Sequence, residues 1–395
     1  MSYRKLNADH LFTGQKFLSS DDVLVVDDKG TIEAIVPLAE AGEGLEKFEG
    51  ILSPGFVNCH CHLELSHMKG MIPEKSGMSQ FVLAVVQQRH LSEEAILKSI
   101  NEAENEMLQN GVVAVGDICN NLITIRQKHQ GNLYYHNFIE ASGFVPSIAG
   151  QRFTRSVDFF NAFAQLYPLP VESNSIVPHA PYSVSPELFE RILSFPGNHI
   201  MTMHNQEAVA EEELFLRKEG DFLQMYKEMN IDISFFKATG KSSLQAALPY
   251  FKKNQKLLLV HNVTTNENDI SYLRHLHHSP DIYFCLCVNA NLYIGNGLPD
   301  IPLLANSGFP LVIGTDSLAS NKQLHILEEL KTIQENFPSI QLGDLLQWAT
   351  LNGAQALELD KLFGSFEKGK SPGVIHIANI YDRRITGSTT VERII

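Results

Sequence analysis

Pro54-Gly55-Phe56-Val57-Asn58-Cys59-His60-Cys61-His62-Leu63 opens on a Pro-Gly turn, continues as a short apolar run and ends on two histidines one residue apart. A run this short, bounded by turn residues, reads as a buried strand. Side chains alternate along a strand, so His60 and His62 share one face, while Cys59 and Cys61 point the other way as packing residues. Upstream, β-rich runs are broken by turn chemistry: Val23-Leu24-Val25-Val26, then Asp28-Lys29-Gly30, then Ile32-Glu33-Ala34-Ile35-Val36, which predicts a hairpin. Downstream, to about residue 360, apolar strands alternate with long amphipathic helical segments, the pattern of parallel β/α units.

Eight strands are predicted, around Phe56 to His60, Val112 to Asp117, Leu133 to Ile139, Ser175 to His179, Ile200 to His204, Leu257 to His261, Ile282 to Cys287 and Leu311 to Thr315. That number fits a closed (β/α)8 TIM barrel, here over residues 54–363. Residues 1–53 and 364–395 are expected to build a small β-sandwich domain, the tail packing on the N-terminal β segment. Helix punctuation is readable in places. Ser185-Pro186-Glu187 offers an N-cap with Pro in the first turn, Thr264 with Glu267 fits a capping box, and Asn110-Gly111 closes a run that starts near Ser92.

The 395 residues are 44% hydrophobic and 19% charged, with the apolar residues spread along the chain, which excludes disorder. No apolar run approaches the ~20 residues that span a bilayer, so no membrane partner is expected. Lys and Arg number 31 against 45 Asp and Glu, a net charge of -14, and no dense basic block interrupts it. A phosphate backbone would be repelled, so nucleic acid is not an expected partner. Five cysteines are too few for a disulfide framework, and Met1-Ser2-Tyr3-Arg4-Lys5-Leu6 lacks the apolar stretch of a secretory signal. A reducing cytoplasm is the expected location.

An isolated His-x-His is a weak metal motif. It gains weight from residues at or just past the carboxyl ends of later strands, where barrels build their sites: His179, His204, His261 and Asp316. Any one of these alone would be an ordinary core or turn residue. Cys285 and Cys287 read as packing residues, Arg274-His275-Leu276-His277-His278 as a solvated helix end, and Glu211-Glu212-Glu213 as a solvated helix face.

With these motifs the chain resembles the amidohydrolase superfamily, in the cytosine-deaminase and aromatic-chlorohydrolase branch that also holds the adenosine-type deaminases. The resemblance rests on Pro54 to His62, Pro178-His179-Ala180-Pro181-Tyr182-Ser183-Val184-Ser185, His204-Asn205-Gln206-Glu207, Val260-His261-Asn262, Gly314-Thr315-Asp316-Ser317, Ala349-Thr350-Leu351-Asn352-Gly353-Ala354, and the stretch from Gly364-Ser365 to Pro372-Gly373. It implies that His60, His62, His204 and Asp316 are metal ligands, Glu207 the acid/base, His261 the residue that orients or polarises the attacking water, and His179 a substrate contact. Three imidazoles and a carboxylate suit one divalent ion, zinc first and iron(II) as competitor. Superfamily members with two metals bridge them by a carbamylated Lys on the fourth strand. No Lys occurs between Lys128 and Lys218, which favours a single ion.

The reaction so implied is attack of an ion-activated water on an sp² ring carbon bearing an exocyclic amine. Glu207 protonates the adjacent ring nitrogen, Asp316 takes the water proton, and ammonia leaves. Gln206 and Val288 depart from the commoner pattern, where Ala and Pro are frequent, and are expected to bear on the shape of the pocket. His62-Leu63-Glu64-Leu65-Ser66 and Gly314 to Asn321 look most like aminodeoxyfutalosine deaminases of menaquinone synthesis, which adds Glu64 and Ser66 as substrate contacts. That substrate carries a benzoate, for which Arg152 or Arg155, in the loop after the third strand, is the expected partner. The competing readings are removal of chloride, an amide or a guanidine-type amine at the same centre, and a barrel without catalysis; relatives of the last kind lose ligands, and none is missing here. Barrels with an added β domain often pair, so a homodimer is the expected assembly.

Overall fold

The computed structural model describes residues 3–166, 173–276 and 278–395. Strands from both ends of the chain share one mixed, seven-stranded sheet: β1 (Tyr3–Phe12), β2 (Phe17–Leu18), β3 (Asp22–Asp27), β4 (Ile32–Pro37), β5 (Leu45–Pro54), β14 (Val374–Ala378) and β15 (Thr390–Arg393). Their order is β15-β14-β5-β1-β3-β4, with β2 beside β1. The hairpin of β3 and β4 closes at Asp28-Lys29-Gly30. The Asp27 carboxylate accepts the N–H groups of Lys29 and Thr31 at 2.9 and 2.8 Å, and Gly30 adopts φ 84°, which a side chain would oppose. The tail joins through β14, antiparallel to β5 with Ile375 opposite Ser53. Among the described residues these strands pair as one hydrogen-bonded sheet, and that pairing does not show the expected sandwich. Leu6, Leu11, Leu24, Val26, Leu52 and Val374 give this sheet a core of its own.

The other two sheets are four-stranded and parallel. One runs β6 (Phe56–Cys61), β7 (Val112–Cys119), β8 (Tyr134–Ala141), β9 (Asn174–Pro178); the second runs β10 (Ile200–Asn205), β11 (Lys256–His261), β12 (Asp281–Leu286), β13 (Leu311–Ile313). All eight predicted strands are present in the predicted order, each within two residues of its expected ends, with helices between most of them. Every residue of β6 and β7 is buried, as in parallel strands covered on both faces. Backbone hydrogen bonds also cross between the two sheets at both edges. The N–H of His204 donates to the carbonyl of His179 at 2.9 Å, and those of Thr315 and Asp316 donate to the carbonyl of His60 at 3.0 Å.

Helix Pro186–Leu193 is capped as its sequence predicts, Ser185 accepting the N–H of Leu188, and helix Glu93–Gln109 runs from its Ser92 cap to Asn110. The capping box predicted at Thr264 and Glu267 lies two residues further on, formed by Asn266 and Asp269. Thr264 is engaged elsewhere, its hydroxyl and N–H both donating to the carbonyl of Gln206. Arg274 is not simply solvated: its guanidinium donates to the carbonyls of Asn306 and Ser307, while His275 stays exposed and His277 lies outside the described residues. Among the described residues no helix is long and apolar enough to cross a membrane.

Candidate metal centre and active site

The carboxyl ends of the parallel strands carry His60 (β6), His204 (β10) and His261 (β11), and the residues just beyond them supply His62, His179 and Asp316. Four donor atoms converge. The Nε2 atoms of His60 and His62 lie 3.2 Å apart and those of His62 and His204 3.3 Å; Asp316 Oδ1 lies 3.3 Å from His62 and 3.6 Å from His60. A tetrahedral ion with ligands at ~2.1 Å has edges of roughly 3.4 Å, which these separations bracket. Burial lowers the pKa of His62 to about 3 and takes His204 well below the imidazole range, so both present lone pairs. Burial would raise Asp316, but its hydrogen bond with His60 and the nearby His62 and His261 hold it below the usual carboxylate range. Three imidazoles around an anionic carboxylate form a donor set that fits a zinc-like ion.

Neighbouring groups fix each donor. The Nδ1–H of His204 donates to the carbonyl of His179 at 2.9 Å, which leaves Nε2 free for an ion. Asp316 has φ 57°; its Oδ2 accepts the Ser320 hydroxyl at 2.5 Å, and Asn58 brackets the adjacent Thr315 through both its amide atoms. His261 has φ 77°, and its Nδ1–H donates to Asn291 Oδ1 at 2.8 Å. Left-handed backbone at non-glycine residues costs on the order of 1–3 kcal/mol and gathers at functional sites.

His261 Nε2 then faces Glu207 Oε1 at 3.6 Å. Burial lowers the pKa of His261 to about 4; burial, with Asp316 and Glu211 nearby, pushes the Glu207 carboxyl well above its ordinary range. Among the described residues neither Glu207 Oε2 nor His261 Nε2 has a hydrogen-bond partner, and both residues line the cavity.

Glu211 corrects the sequence reading of a solvated Glu211-Glu212-Glu213 face. It is fully buried, and its two oxygens accept the N–H groups of Gln206 and Glu207, each at 3.2 Å. Gln206, at φ 48°, turns those amides inward onto Glu211, whose carboxyl burial raises to about 8. Gln206 and Val288 do not shape the cavity as expected. The Gln206 amide bonds to Asp269, Glu212 and Thr265, and Val288 is buried in the first turn of a helix; neither lines the opening.

The cavity holds about 360 Å³. Its buried end is the histidine cluster with Glu207 and Asp316, and its lining includes an apolar set, Phe81, Val82, Val85, Phe159 and Met229, and the exposed Arg89, Arg152 and Arg155. Arg152 and Arg155 sit in helix Ala149–Leu166 rather than in a loop, because the chain turns helical soon after β8; the Arg155 guanidinium lies over the Phe159 ring. Glu64 lines the cavity. Ser66 does not: it is buried, with its hydroxyl donating to the carbonyl of Leu63. Glu140 and Asn120, which also line it, went unread in the sequence, although Glu140 lies one residue past the predicted end of the third strand, where the strand-end rule would have found it. Glu140, His179 and His204 form a second grouping that could hold an ion, but the Nδ1 of His204 is committed to the His179 carbonyl and its Nε2 to the first cluster.

The sequence profile of the amidohydrolase family matches residues 51–383. The chain belongs to the amidohydrolase family. It is accordingly a hydrolase acting on C–N bonds other than peptide bonds, as its motifs implied. This amidohydrolase is 24% identical over 375 residues to an adenosine deaminase of Helicobacter pylori, which covers 90% of this chain and 88% of the relative. It is 26% identical over 291 residues to an aminodeoxyfutalosine deaminase of a Nitratiruptor species, covering 71% and 67%. Among solved structures it is similar to the Helicobacter pylori aminofutalosine deaminase in complex with methylthio-coformycin, with a TM-score of 0.81 at 22% identity over 94% of this chain and 91% of that one. That last likeness is one of fold.

Proposed function

We propose that this amidohydrolase is a single-metal deaminase that replaces the exocyclic amine of a 6-aminopurine nucleoside by oxygen and releases ammonia. The observation that carries the reading is the convergence of His60, His62, His204 and Asp316 at the buried end of a cavity that also presents Glu207 and His261. The two parallel sheets, hydrogen-bonded at both edges, are read as one (β/α)8 barrel over residues 54–363, with 1–53 and 364–395 forming the flanking β domain. Five buried free cysteines suit a reducing cytoplasm.

His60, His62, His204 and Asp316 would hold the ion, zinc first. When bound, such an ion lowers the pKa of water from about 15.7 toward about 7 and so supplies a nucleophile at neutral pH. Glu207, kept protonated by burial, gives its proton to the ring nitrogen beside the reacting carbon. Asp316, kept anionic, takes a proton from the attacking water. His261, whose Nε2 lone pair faces the cavity, orients that water, and His179 contacts the ring. Strand β9 offers no Lys to bridge a second ion.

The finer reading is 6-amino-6-deoxyfutalosine, an intermediate of menaquinone synthesis. Its support is the Nitratiruptor relative and the form of the cavity, which joins an apolar wall to Arg152 and Arg155, groups suited to an aryl carboxylate. The test is ammonia release by the zinc-loaded protein from a panel of 6-aminopurine nucleosides with and without a 5′ aryl carboxylate. Preference for the carboxylate form, lost in Arg152→Ala, is the expected result. Equal turnover of both forms would remove the benzoate assignment, and chloride release without ammonia would move the protein to another branch of the family.

A further inference from the structure

Strand β8 ends in Ile139-Glu140-Ala141, and the Glu140 side chain is only 4% exposed. Its Oε2 accepts the Asn120 amide at 2.9 Å, while Oε1 is buried with no hydrogen-bond partner among the described residues. The nearest positive-capable group, His204 Nδ1 at 3.6 Å, already gives its proton to the carbonyl of His179. Asn120 serves a second carboxyl as well, its backbone N–H donating to Glu64 Oε2 at 3.0 Å. One residue therefore fixes two acidic groups on the wall of the same cavity.

A carboxylate accepts hydrogen bonds and donates none, and a buried acceptor without a donor is unfavourable. Glu140 Oε1 thus calls for an O–H or N–H brought by a ligand. Guanidinium groups line the cavity too, but Arg89, Arg152 and Arg155 are exposed and none bonds to Glu140 or Glu64 among the contacts described. The open acceptor on Glu140 and the Glu64 carboxyl beside it, neither bonded to a guanidinium, match two neighbouring hydroxyls.

We propose that Glu140, held by Asn120 beside Glu64, is the subsite for a vicinal diol, the 2′- and 3′-hydroxyls of the substrate ribose; this rests on the nucleoside deaminase reading. Glu140 is then a specificity-determining residue that separates ribonucleosides from deoxynucleosides.

The test uses the full, zinc-loaded chain with adenosine, 2′-deoxyadenosine and 3′-deoxyadenosine for ammonia release, and inosine against 2′,3′-dideoxyinosine for calorimetric affinity. A hydrogen bond to a charged acceptor corresponds to about 10- to 100-fold, so the parent is expected to favour the ribo forms by that factor in kcat/KM and in affinity. Glu140→Gln is expected to compress both ratios to within about threefold while zinc content stays at one equivalent. Equal handling of ribo and deoxy forms by the parent would overturn the subsite, as would a full ratio kept by Glu140→Gln. Loss of a second zinc equivalent in that variant would make Glu140 a metal ligand instead. Failure of every nucleoside, one with a 5′ aryl carboxylate included, to release ammonia strikes the deaminase reading and the subsite with it, whereas turnover without discrimination strikes the subsite alone.

Discussion

Glu207 and Glu211 are four residues apart and both buried, yet one faces the cavity and the other faces the backbone that carries it. Glu207→Gln is expected to keep its zinc while turnover falls by about 10²–10⁴-fold, the usual worth of a positioned acid/base; near-normal turnover at full metal content would discard the role. Glu211→Gln acts through position. Its amide would set a donor against a donor at the Gln206 or Glu207 N–H, and a displacement of the acid by an ångström can cost about 10²-fold. Steady-state kinetics should show kcat lowered more than KM is raised, with zinc retained. The histidines and Asp316 were legible because strand ends can be read from the pattern of apolar runs. Glu211 was not, because three consecutive glutamates look like a surface until one knows that Gln206 turns its amide inward.

Between β6 and β7 the strands approach so closely that a Cβ on Gly116 would lie 2.6 Å from the carbonyl oxygen of Cys59 and 2.9 Å from the Phe138 ring. Gly116→Ala must move either its own strand or the one that carries His60. A loss of about 1–3 kcal/mol in urea unfolding is expected, together with weaker zinc binding. On the same layer Lys128 is fully buried, its Nζ 2.6 Å from Asp117 Oδ2 and 2.7 Å from Asn137 Oδ1, while Asp117 Oδ1 accepts the N–H of Leu63 just after His62. Burial alone would lower the Lys128 pKa, but Asp117 and Cys119 raise it. Removing one member of such a pair strands the other charge, so Lys128→Met is expected to cost about 3–5 kcal/mol, with Asp117→Asn in the same chain recovering most of the loss in denaturant midpoint. The elements themselves were readable from periodicity and caps. The two-residue slip from Thr264 to Asn266 was not, since either residue can cap and only the contact with the Gln206 carbonyl decides between them.

Across the whole molecule, the order of eight parallel strands followed from alternating strand and helix patterns, and so did the meeting of the two chain ends. How those end strands pair did not follow. A period of two tells which side of a strand is buried but not which strand lies beside it, so the order β15-β14-β5-β1-β3-β4 could not be read from it. The proposed ion ties the two parallel sheets together, because His60 and His62 come from one and His204 and Asp316 from the other. Free zinc at a thousandfold above Kd should therefore stabilise the fold by about 4 kcal/mol, seen as a Tm that falls on chelation and returns on zinc addition. The most direct measurement is anomalous X-ray scattering at the zinc edge from crystals of the zinc-loaded protein. A single peak is predicted, about 2.0–2.2 Å from the Nε2 atoms of His60, His62 and His204 and from Asp316 Oδ1. No peak there, or one between Glu140 and His179 instead, would contradict it.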